Sequence, residues 1–142
     1  MPTVVSYRES LSPLRAILLA FPVSLFVATV TTDITYLRTA EIQWSNFSAW
    51  LNAGGLFFGA LVLIWAAAST VVHPRSWRGG RLVHLGALVV MWVFGFLDAL
   101  IHARDAWYSV TAAGLILSFI TAIAALVAAW TGYRGFPRKE SL

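Results

Sequence analysis

Long apolar runs make up most of this chain, and its polar positions gather at a few separated places. Four stretches stand out: 14–37 (LRAILLAFPVSLFVATVTTDITYL), 47–69, 82–102 and 107–131. Each is near the ~20 residues a helix needs to cross a hydrocarbon core. Inside lipid every backbone polar group must be satisfied within its own segment, so these stretches read as helices rather than strands. The connections are short, a basic loop covers 70–81 and a tail covers 132–142. The pattern predicts one transmembrane domain over 1–142, an all-α, up-down-up-down four-helix bundle.

Composition supports a lipid solvent. Of the 142 residues 59% are hydrophobic and only 11% are charged, where a soluble domain carries roughly 25% charged residues to coat its surface. With no cysteine in the chain, disulfides, thiolate metal sites and thiol nucleophiles are excluded. The net charge of +4 is spread thinly between apolar runs, leaving no basic face for nucleic acid.

Those basic residues report topology instead. Arg8, Arg15, Arg75, Arg78, Arg81, Arg134, Arg138 and Lys139 fall on one side of the spans, and only Arg38 and Arg104 on the other. Basic loops stay in the cytoplasm, so both termini and the middle loop are expected there, in a bacterial inner membrane. The first span has a long lead and no clear A-x-A cleavage site, and is read as retained. Tyr36, Trp44, Trp50, Trp107 and Tyr108 would mark the outer interface, and Trp77, Trp130 and Tyr133 the inner one. Gly55 and Gly59 form a G-x-x-x-G for close helix packing, beside Gly54. Pro22 removes a backbone donor inside the first span, predicting a kink with Ser24 resolving the freed bonding.

The informative stretch is GFLDALIHARDAWY, where an apolar run ends in Asp98, His102, Arg104 and Asp105. Asp98 lies about one turn (~5 Å) from the outer end of the third span, with His102 four residues on over the same face. Asp33 holds the matching place on the first span, Asn52 on the second and Thr111 on the fourth. Each helix thus offers a polar side chain to one layer. A carboxylate at a helix centre costs roughly 2.5–3.5 kcal/mol on insertion scales, so Asp33 and Asp98 are expected to face the bundle interior or a water-filled opening. Asp33, Asn52, Asp98, His102 and Trp107 form the candidate ligand pocket, with Arg38, Arg104 and Asp105 as charge partners. Simple capping, or pairing of Asp33 and Asp98 with Arg38 and Arg104, would account for the same residues without a ligand. His73 and His84 read as interfacial.

Other chemistries fit less well. The three histidines lie at different depths, which does not make a bis-histidine haem within one chain; a haem bridging two subunits through His84 or His102 stays open. There is no phosphate-cradling loop, zinc-protease helix or serine triad, and no metal set or catalytic residue is assigned.

Through FPVSLFVATVTTDITYL, AEIQWSNFSAWLNAGGLFFGAL and FGFLDALIHARDAWYSVTAAGLILS the chain resembles the bacterial domain-of-unknown-function 2231 family of small four-helix inner-membrane proteins. The likeness covers nearly all of 12–133 and is carried by Phe21-Pro22, Asp33, Trp50, the second-helix glycines and HARDAW. Many members place histidines in a His-Pro…His-Phe-Pro pattern, where this chain reads Ser12-Pro13…Ala20-Phe21-Pro22. Metal or haem roles through those histidines therefore do not carry over. The most similar subgroup is often encoded beside periplasmic quinoprotein sugar dehydrogenases of the sorbosone type, which implies such a partner.

The expectation is a non-catalytic subunit embedded in the lipid bilayer. It would anchor a periplasmic dehydrogenase and offer a quinone-sized site, a carboxylate there taking or giving protons. A small-solute or proton-conducting homo-oligomer, and a purely structural membrane protein, are the alternatives.

Overall fold

The computed structural model describes residues 4–9, 11–72, 80–103 and 110–141. Four helices form: α1 (Pro13–Thr39), α2 (Ile42–Val72), α3 (Gly80–His102) and α4 (Ala112–Tyr133). All four are long and apolar enough to span a membrane. They pack in a closed ring, α1 on α2, α2 on α3, α3 on α4 and α4 on α1. The tail expected at 132–142 does not stay a tail. Its segment Phe136–Ser141 (β2) pairs antiparallel with Val4–Glu9 (β1), from Val4↔Ser141 to Glu9↔Phe136. This ribbon ties together the two chain ends where α1 begins and α4 stops.

The ring follows from a repeat in each helix. Buried positions on α3 are His84, Leu88, Met91, Gly95, Asp98 and His102, alternating steps of four and three. On α2 the stripe runs Ser45, Ser48, Asn52, Gly55, Gly59, Val62, Ala66 and Thr70, and α4 includes Gly114, Ser118, Thr121, Ala125, Ala128 and Gly132. Such spacing repeats every seven residues and suits left-handed packing at shallow crossing angles. The stripes are rich in small and polar residues, while Ile17, Phe57, Ile64, Val71, Ile116 and Ile123 point outwards. That inversion of a soluble bundle is what lipid selects, since apolar side chains gain nothing by leaving acyl chains.

Large core side chains sit in gaps left by glycines. The Phe26 ring fills the centre of the bundle, and a Cβ on Gly55 would come within 2.7 Å of it and one on Gly95 within 3.2 Å. Gly59 gives the same clearance to the Met91 methyl. The G-x-x-x-G pair therefore admits side chains from two different helices.

Helix α1 continues through Pro22, and the Ser24 hydroxyl reaches the Ala20 and Phe21 carbonyls at 2.9 and 3.0 Å. One local expectation changes. Helix α4 begins at Ala112, with Thr111 in extended conformation as its N-cap, rather than at Trp107.

The α1–α2 connection is only Ala40 and Glu41. Ala40 takes a left-handed conformation (φ 55) while its N–H bonds to the Tyr36 carbonyl at 2.7 Å. A residue with a Cβ pays for that geometry, so Ala40→Gly is expected to raise stability by about 0.5–1 kcal/mol, read by thermal unfolding in detergent.

Candidate functional site

The seven-residue stripes bring the scarce polar side chains to one level, at the end where α1 meets α2 and α3 meets α4. Asp33 comes from α1, Ser48 and Asn52 from α2, Asp98 and His102 from α3, and Ser118 from α4. None is more than 8% exposed, and Asp33, Ser48 and Asn52 are fully enclosed.

Asp33 is the hub. The Ser48 hydroxyl donates to its Oδ1, the Ser118 hydroxyl approaches Oδ2, and His102 Nε2 stands 3.0 Å from Oδ1. Asp98 receives the Asn52 amide on Oδ2 at 3.2 Å, and the same amide also reaches the Gly95 carbonyl at 3.1 Å. Ser118 lies 3.5 Å from Asp98 Oδ2, so one hydroxyl sits between the two carboxylates.

The histidine determines the proton arrangement. His102 Nδ1 lies 2.9 Å from the backbone carbonyl of Asp98. A carbonyl only accepts, so Nδ1 carries a hydrogen. Were the ring neutral, Nε2 would present a lone pair to Asp33 Oδ1 and to Ser48 Oγ, 3.1 Å away. A lone pair against a carboxylate lone pair at 3.0 Å is repulsive. A further proton must therefore lie on Nε2 or on Asp33. Even with it, two carboxylates and one imidazole sum to one negative charge in a region of low dielectric, where an uncompensated ion is costly. Asn52 Oδ1 is buried without a hydrogen-bond partner, and Asp98 Oδ1, also buried, faces only His102 Nδ1 at 3.5 Å. The centre thus has capacity for a second proton. Asp33, Asp98 and His102 offer ligand atoms within 4.8 Å of one another, and among the described residues only this trio could hold a metal ion.

The structure brings Asp33, Asn52, Asp98 and His102 into one hydrogen-bonded cluster. Among the described residues the centre is packed shut rather than open. Arg38 lies exposed in the last turn of α1, and the ionic partner of Asp33 is His102. Trp107, Arg104 and Asp105 lie outside the described residues, as does His73. Thr111 does not join the layer: it is exposed, and its hydroxyl accepts the Gly114 N–H as a cap. In its place α4 supplies Ser118. Ser48 and Ser118 were the omissions. Ser48 lies one turn before Asn52 and Ser118 one turn after Gly114, but serine is common in membrane helices and spacing alone did not mark either. His84, expected at the interface, is 1% exposed inside the bundle.

No curated protein and no solved structure matches the chain. A family model does, over residues 11–136, and its description is "Predicted membrane protein (DUF2231)". Four membrane-spanning helices, a polar interior and that match across most of its length make the chain a member of the domain-of-unknown-function 2231 family of membrane proteins.

Proposed function

We propose that this protein is a non-catalytic subunit of the bacterial inner membrane, with its Asp33–Asp98–His102 centre facing the periplasm and exchanging protons with a quinone head group. The observation carrying this reading is the contact of His102 Nε2 with Asp33 Oδ1, which needs one proton and leaves room for another beside Asp98. Quinone reduction takes up protons, and a buried pair of carboxylates bridged by an imidazole and hydroxyls is suited to hold them and pass them on. Orientation rests on the arginines: Arg15, Arg81 and Arg134 stand at the opposite end of the bundle from the centre, which the positive-inside tendency assigns to the cytoplasm. A periplasmic quinoprotein sugar dehydrogenase is the partner this arrangement would serve.

Conduction by a single chain is disfavoured. Phe26, Val62, Leu88 and Met91 are buried across the middle of the bundle, separating the centre from the polar residues at the ribbon end.

The test is purification in mild detergent, identification of the co-purifying oxidoreductase, and assay of quinone reduction by the complex. Asp98→Asn keeps an acceptor for the Asn52 amide but removes an ionisable carboxylate. It is expected to slow quinone reduction about tenfold or more, with the complex intact. An unchanged rate would refute the proton role, and proton flux through the protein alone in liposomes would favour the conducting alternative.

A further inference from the structure

A second polar cluster lies at the ribbon end, independent of the Asp33 centre. Helices α1 and α3 both begin there, each with an arginine in its first turn (Arg15, Arg81) and no acidic residue in that turn. The C-termini of α2 and α4 share this end, so the helix dipoles offset one another, and the two arginines supply the positive charge that favours an anion. Arg15, Ser69, Thr70, Arg81, His84 and Phe136 line one small cleft here, whose floor has room for a single water-sized group.

His84 is built into the wall of this cleft. Its Nδ1 lies 2.8 Å from the Ala128 carbonyl and 3.3 Å from the Thr131 hydroxyl. The ring fits because residue 132 is glycine; a Cβ there would come within 2.9 Å of the imidazole Cε1. Phe136 lies against the imidazole at 5.7 Å, and the Arg81 guanidinium covers that phenyl ring at 5.2 Å. Since the carbonyl can only accept, Nδ1 carries the hydrogen and the neutral ring leaves Nε2 an acceptor. His84 Nε2 has no partner, and neither does the buried Nε–H of Arg15. One orphan requires a donor, the other an acceptor.

We propose that this cleft binds a phosphate group that carries a hydroxyl, its anionic oxygen accepting from Arg15 Nε in the field of Arg81 and its P–OH donating to His84 Nε2. A phosphomonoester carries both an acceptor and a donor, one to match each orphan. A phosphodiester such as phosphatidylcholine has no phosphate hydroxyl to offer. At the ends of membrane-spanning helices the natural carrier of this chemistry is a phosphatidic acid headgroup; inorganic phosphate shares it.

Full-length protein in detergent would be titrated with phosphatidic acid, phosphatidylcholine and inorganic phosphate, and bound species counted by native mass spectrometry. Phosphatidic acid is expected to bind the wild type about tenfold more tightly than phosphatidylcholine. Arg15→Lys keeps the charge without the Nε–H, and His84→Phe removes the acceptor; each should abolish most of that preference. Arg134→Gln, a control whose wild-type guanidinium stacks on Trp130, should retain it. Competition by inorganic phosphate would support the site and show that the free ion also enters. Equal binding of the two lipids by the wild type, which requires no variant to fold, would overturn the proposal. So would a preference that survives both Arg15→Lys and His84→Phe.

Discussion

Asp33→Ala is expected to cost about 3–5 kcal/mol of stability, the range for removing one partner of a buried ion pair. Single helix–helix hydrogen bonds in membranes average only about 0.6 kcal/mol, so the size needs justification. Three groups from three other helices converge on this one carboxylate: Ser48, His102 and Ser118. Alanine leaves the imidazole facing a void, while the Ser48 and Ser118 hydroxyls fall back on the Thr29 and Gly114 carbonyls. Asp33→Asn keeps the shape and one acceptor oxygen, and should cost less, about 1–2 kcal/mol. Unfolding of both variants in detergent, followed by circular dichroism, reads the difference. Equal, small losses would mean that Asp33 is not the hub.

Gly55→Ala should be the most damaging single-methyl change in the core, at about 1–3 kcal/mol. Its Cβ would lie 2.7, 2.9 and 3.0 Å from three atoms of the Phe26 ring. That ring is 1% exposed and also packs against Gly95, so relieving the clash requires its neighbours to shift. Phe26→Leu relieves the clash while opening a small cavity, so the double variant should be more stable than the two separate losses predict, by about 0.5–3 kcal/mol. Gly86→Ala is the control. Nothing lies within 4 Å of a Cβ there, and the change should be neutral or slightly stabilising. Additive losses in the double variant would mean that helix separation, not the ring, sets the cost.

The fold was legible because its strongest signals are local. A run of twenty apolar residues identifies a spanning helix without reference to any other helix. The depth of the polar layer was legible for the same reason: Asp33 and Asp98 each lie a short, countable distance from a helix end. Identity of the partners was less so. Arg38 looked a natural counter-ion for Asp33 by sequence position, and the packing of the helices set His102 against it instead. Ser118 displaced Thr111 because the N-cap of α4 lies at Thr111, beyond the layer, while Ser118 faces inward. The antiparallel ribbon joins residues more than a hundred positions apart, and neither strand carries a pattern that names the other.

The amino-acid order alone determined the solvent of this protein, the number of its helices and the level at which its charges would have to hide, since hydropathy and rise per residue are properties of each segment by itself. Only the tertiary structure decided that an imidazole sits against one carboxylate, that two serines complete the set, and that a second histidine is enclosed with its Nε2 unmatched. Those outcomes depend on how four rods are turned about their axes, and that rotation is set by glycine gaps and ring sizes on neighbouring helices rather than by any helix alone.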